Sequence, residues 1–123
     1  MRFFKRGEIV DSKFTFLDSE DNQPIDVNNA VYYIAHFDGP NEIIDVVEQP
    51  LQKITGRIGE YVANWEIPGT AIENETYFVT ATGIHPVDNT ITKIEDFYRV
   101  MTASFFSGGG GGGQSMTIKF TKP

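Results

Sequence analysis

The stretch Glu8 to Asp18, EIVDSKFTFLD, alternates Val10, Ser12, Phe14 and Phe16 on one face with Asp11, Lys13 and Thr15 on the other. A period of two marks a half-buried strand, because successive side chains of a pleated backbone point to opposite faces. The segment that follows, DSEDNQPID (18–26), gathers Asp, Asn, Ser and Pro24. Asp and Asn can cap their own turn backbone and proline presets φ, so the strand ends in a turn.

The same pattern recurs along the chain. NAVYYIAHF (29–37) sets Tyr32, Ile34 and His36 against Val31, Tyr33, Ala35 and Phe37, as in a central strand buried on both faces. EIIDVVEQ (42–49) and LQKITG (51–56) read as shorter strands broken by Pro50, which cannot donate to a ladder. GEYVANWEIP (59–68) places Tyr61, Ala63, Trp65 and Ile67 opposite Glu60, Val62, Asn64 and Glu66, with Trp65 as the expected core anchor. ETYFVTATG (75–83) and TITKIEDFYRVM (90–101) continue the series; the second sets Thr92, Ile94, Asp96, Tyr98 and Val100 against Ile91, Lys93, Glu95, Phe97 and Arg99. The one place for a helix, GTAIENET (69–76), gives at most about two turns. Six or seven strands separated by turn signals predict an all-β protein, an antiparallel sandwich of about seven strands.

The 123 residues suit one domain, placed at residues 1–106, followed by a glycine-rich spacer and terminal strand at 107–123. An apolar share of 40% and a charged share of 22% exclude wholesale disorder. Ten basic against seventeen acidic residues give a net charge of −7, which repels a phosphate backbone or an anionic membrane, so neither nucleic acid nor membrane is expected as a partner. Without cysteine there is no disulfide framework, thiolate nucleophile or Cys-based zinc site. Only Phe3 and Phe4 separate Arg2 from Lys5, too few for a secretory signal, and no run reaches the roughly 20 apolar residues of a membrane span.

Four stretches in order, KRGEIV (5–10), DSEDNQPIDVNNAVYYI (18–34), IGEYVANWEIP (58–68) and NETYFVTATG (74–83), resemble an immunoglobulin-like domain of the macroglobulin type over about Arg6 to Val100. No thioester or bait sequence accompanies them, so the resemblance implies a fold and no activity. A compact, acidic, cysteine-free domain with an appended strand also looks like a structural protein of a tailed bacteriophage. That resemblance implies a head decoration, neck, tail or baseplate component, made in the host cytoplasm and carried in the virion, with other virion proteins and copies of itself as partners.

No catalytic, cofactor-binding or metal-binding residue is expected, and the chain is read as a non-enzyme. His36 and His85 lack the neighbouring ligands or triad partners that metal or acid–base chemistry needs, and both are read as structural. Ser104, Ser107 and Ser115 lie in or near the glycine tail, where an oxyanion hole would not be held rigid. Asp18, Glu20, Asp21 and Asp26 supply hard oxygen ligands for calcium, but Gln23 stands where an EF-hand loop has glycine, so a solvated turn is the preferred reading. Phe14, Phe16, Tyr61, Trp65 and Tyr77 are read as core in preference to a sugar-stacking platform.

The tail carries the functional expectation. Gly108, Gly109, Gly110, Gly111, Gly112 and Gly113 form a tether or flexible projection, since six glycines lose the most backbone entropy on ordering. Beyond them Met116, Ile118 and Phe120 alternate with Thr117, Lys119 and Thr121, an apolar strand face that must pair with a sheet. Three readings stand: a last strand returning to its own domain, an arm docking on another subunit through Met116, Ile118 and Phe120, or a disordered end. The leading function is a structural virion protein acting through assembly. The alternative is a carbohydrate- or cell-surface-binding adhesion module.

Overall fold

The computed structural model describes residues 1–106 and 116–121. In chain order the strands are β1 (Arg2–Phe4), β2 (Ile9–Leu17), β3 (Asn28–Asp38), β4 (Asn41–Pro50), β5 (Gln52–Lys53), β6 (Glu60–Glu66), β7 (Glu75–Ile84), β8 (Ile91–Val100) and β9 (Met116–Thr121), with one 3-10 turn at Ala103–Phe106. They form a five-stranded sheet, β1-β8-β7-β3-β4, and a four-stranded sheet, β5-β6-β2-β9. The all-β, two-sheet architecture expected from the alternation is the one observed. GTAIENET contributes no helix and forms the connection between β6 and β7.

Strand β8 shows why the periodicity could be read. Thr92, Ile94, Asp96, Tyr98 and Val100 are all buried, while Ile91, Lys93, Glu95 and Phe97 are exposed. The inward rows of β2 (Val10, Ser12, Phe14, Phe16) and β6 (Tyr61, Ala63) meet those of β7 (Tyr77, Val79, Ala81) and β8 to form the core. Each fully buried Phe or Ile here contributes on the order of 2 kcal/mol by leaving water. Strand β7 is buried through Ala81 on both faces, as the middle of a five-stranded sheet should be. Trp65, the expected anchor, is only half-buried; it leans on Tyr77 and Tyr98 at the edge of the core, and Tyr98 and Phe4 fill the centre.

Two pairings depart from the antiparallel rule. β1, three residues long, joins β8 in parallel, and β9 joins β2 in parallel from Ser12↔Met116 to Leu17↔Thr121. Met116, Ile118 and Phe120 therefore align with Ser12, Phe14 and Phe16 of their own chain. A strand returning to its own domain is the reading of the tail that has this backbone pairing. Parallel neighbours need a long connection, and between β2 and β9 the chain makes the whole run from β3 to β8. Gly108 to Gly113 lie outside the described residues.

Gly59 closes the lower end of the sandwich. Its φ is +75°, and a Cβ there would stand 2.8 Å from both Ile25 N and Phe16 O, so only glycine fits. Its N–H donates to Asp26 Oδ1 at 2.7 Å and its carbonyl accepts from Phe16 N at 2.9 Å. Beside β1, midway along β2 and β8, a polar cluster lies between the sheets. Asp96 Oδ2 accepts from Arg2 Nη2 at 2.5 Å and from Ser12 Oγ at 2.8 Å, and Arg2 Nη1 donates to the carbonyl of Asp11 at 3.0 Å. Ser12, apparently a lapse in an apolar face, is the hydroxyl that this buried carboxylate requires.

Candidate functional site

Strand β4 is a free edge with two irregularities. Ile34 faces Val46 and Ala35 faces Ile44, so Asp45 is the extra residue of a β-bulge; a second shift lies between Tyr32 and Ile34. A bulge bends the edge away from further pairing and re-aims a side chain. Here the re-aimed carboxylate meets β3, where His36 Nδ1 stands 2.7 Å from Asp45 Oδ2. The other ring nitrogen, Nε2, has no hydrogen-bond partner among the described residues.

Around this pair lies a cleft of ≈ 330 Å³, lined also by Trp65, Pro68, Thr70, Ala71, Ile72 and Tyr77. The Tyr77 ring forms its centre, 5.1 Å from the His36 ring and 5.7 Å from that of Trp65. The β6–β7 connection forms the far wall and is fixed by three hydrogen bonds. Ile72 N donates to Tyr77 Oη at 2.9 Å, Ala71 N to the carbonyl of Pro68 at 3.1 Å, and Arg6 Nε to the carbonyl of Ala71 at 2.8 Å. Burial pushes the Tyr77 phenol above its ordinary pKa against the hydrogen bond from Ile72, and the charges of Asp45 and Glu75 push the same way as burial. The phenol therefore stays neutral, and the carboxylate is the cleft's negative charge.

This arrangement resembles the orienting half of a catalytic triad, but among the described residues no hydroxyl is hydrogen-bonded to His36. The sequence placed His36 on a strand without company; its partner sits nine residues away across a hairpin and a bulge, a separation no spacing motif encodes.

The other histidine is used up. His85 Nδ1 accepts from the N–H groups of Val87 at 3.1 Å and Asp88 at 3.3 Å, and Nε2 faces Asp18 Oδ2 at 3.2 Å, which ties the β7–β8 turn to the β2–β3 turn. The acidic residues of 18–26 do not converge. Asp18 accepts from Glu20 N, Asp21 from Gln23 N, and Asp26 from Gly59 N while pairing with Lys53. No group of three His, Cys, Asp or Glu poised for a metal occurs among the described residues. Of the five aromatics singled out, Phe14, Phe16, Tyr61 and Tyr77 are buried, and Trp65 with Tyr77 reaches the cleft.

Comparison with protein-family models, with curated proteins and with solved structures yields no match.

A second feature occupies the outer face of the five-stranded sheet. Phe37 of β3 stacks on Phe78 of β7 at 5.3 Å, Phe78 meets Phe97 of β8 at 6.4 Å, and Phe3 of β1 meets Phe105 at 5.2 Å. Register puts Ile44 of β4 and Ala35 of β3 in the same row as Phe78. Phe3, Phe37, Ile44, Phe97 and Phe105 are each about two-fifths exposed or more. Glu42, Lys93, Glu95 and Arg99 surround them on the same face.

Proposed function

We propose that the chain is a non-enzymatic assembly protein, an immunoglobulin-like β-sandwich that serves as a structural component of a tailed-bacteriophage virion and binds copies of itself and other virion proteins. The observation that carries the assembly reading is the outer aromatic face. Phe3, Phe37, Phe97 and Ile44 lie exposed on one sheet face, with Phe105 of the 3-10 turn packed on Phe3, continuous with the free β4 edge and rimmed by charges of both signs. Exposed apolar patches with a polar rim mark interaction surfaces, and aromatic residues dominate the energetics of such contacts.

Two features support the immunoglobulin-like assignment. The chain passes between the sheets as β2 to β3–β4, back to β5–β6, and again to β7–β8, the partition of such sandwiches. Tyr77, near the start of β7, accepts a hydrogen bond from the backbone five residues upstream, as the corner tyrosine of these domains does. The virion setting rests on the sequence resemblance alone.

The test is the oligomeric mass of the full chain by light scattering over a concentration series, for the native protein and for Phe97→Asp. The reading expects concentration-dependent self-association of the native chain and a folded monomer for the variant. A native chain that stays monomeric throughout would remove self-assembly through this face.

A further inference from the structure

The geometry points to a binding site for an organic cation, an ammonium or guanidinium group, in the cleft between Asp45, His36, Trp65 and Tyr77. The observation is one of chemical sign. The cleft offers the Asp45 carboxylate, with Oδ2 held by His36 Nδ1 and the second oxygen left without a hydrogen bond among the described residues, against the rings of Trp65 and Tyr77. Asp45 is the carboxylate among the lining residues, and the cation at the cleft wall, Arg6, is turned to the carbonyl of Ala71 and to Glu73. Such a surface complements a ligand made of donors, and the indole and phenol rings at its wall favour a positive charge over a neutral group. The net charge of −7 draws cations toward the molecule.

The site is built in advance of any ligand. The bulge fixes the direction of Asp45, β3 and β7 hold His36 against Tyr77, and the hydrogen bonds of Ile72, Ala71 and Arg6 fix the opposite wall. A preformed cleft spares the ligand the cost of ordering it. The volume of ≈ 330 Å³ accommodates the end of an arginine or lysine side chain, or a small free amine. A neutral sugar would use the same aromatic wall but would present acceptors as well as donors, which this lining matches less well.

Trp65 is the chain's single tryptophan and lines the cleft, so its fluorescence reports occupancy directly. The full chain is titrated with arginine amide, with a short arginine-containing peptide and with methyl glucoside as the neutral comparison. The expected result is saturable change with the cations at millimolar affinity or better, and none with the glucoside. A basic side chain of a partner protein as the natural source predicts that the peptide binds tighter than arginine amide; equal affinity assigns the site to the free amine. Asp45→Asn, which keeps the shape and removes the charge, should weaken the cation at least about tenfold. Ile72→Glu, at an exposed rim position whose replacement leaves the core intact, should tighten it. Cation binding unaltered in both variants, no saturable response, or binding of glucoside in place of the cations would overturn the proposal.

Discussion

His36 and His85 are both buried, and each faces an aspartate, yet they do different things. His85 spends all its valences inside the fold: two backbone N–H groups on one nitrogen and Asp18 on the other stitch two turns together. His36 spends one, on Asp45, and leaves Nε2 at the wall of a cleft. The same residue pair is a rivet in the first case and a recognition element in the second. What separates them is whether the fold saturates the polar atoms, and a count of hydrogen bonds reveals it where residue type does not.

Two further ion pairs extend this comparison to either side. Arg2 and Asp96 are the most enclosed, with the carboxylate wholly buried, and Lys53 and Asp26 the most open, with side chains 38% and 55% exposed. If enclosure governs, the cost of breaking each pair should fall along that series. Arg2→Met strands the Asp96 carboxylate between the sheets and should cost about 3 kcal/mol, read from the midpoint of denaturant unfolding. A loss under about 1 kcal/mol would break the series at its top.

Next comes His85→Leu, which leaves the N–H groups of Val87 and Asp88 without their acceptor and should cost about 2 kcal/mol in the same experiment. Asp45→Asn, whose amide oxygen can still accept from His36, should cost under about 1 kcal/mol while weakening cation binding. An Asp45→Asn loss as large as that of His85→Leu would make the cleft pair structural and erase the contrast. The smallest effect belongs to Asp26. The Gly59 N–H, and then Lys53, hold its carboxyl below the ordinary value of 3.8, so its contribution is intact above that pH and drains away as the pH falls through the lowered value. Asp26→Asn should therefore lower stability slightly at neutral pH, leave it unchanged in acid and so flatten the acid limb of the stability profile; an unaltered acid limb would show that the open pair contributes nothing.

The core lies at the far end from these pairs. Tyr98 is enclosed, and burial pushes its phenol far above the ordinary tyrosine range. Its hydroxyl finds no partner among the described residues, as Asp96 Oδ1 finds none. Tyr98→Phe should therefore be neutral or slightly stabilising near neutral pH, by thermal melting, and should delay unfolding above about pH 10, where an unfolded tyrosine ionises.

Much of the sandwich was legible because burial imposes a period of two. EIVDSKFTFLD, GEYVANWEIP and TITKIEDFYRVM gave β2, β6 and β8 with their two faces separated, but which face of β8 turns inward, the one with Asp96, came from the structure. Strand β1 was not, since Arg2–Phe4 is too short to show a period and is held by a parallel partner almost a hundred residues away. The binding cleft was only half visible. Trp65 and Tyr77 stood out as aromatics and His36 as a titratable residue, but Asp45 reads in EIIDVVEQ as one more outward acid on an edge strand.

The sequence by itself determined the class of fold, the alternation along the long strands and the exclusion of cysteine chemistry, because these follow from local pattern and composition. Only the tertiary structure decided that β9 runs parallel to β2, that Ser12 and Arg2 serve Asp96, and that Asp45 turns toward His36. Each of those is a pairing between distant segments. Such pairings are fixed by how strands stack, slip and bulge against one another, and neighbouring residues in the chain carry no record of that choice.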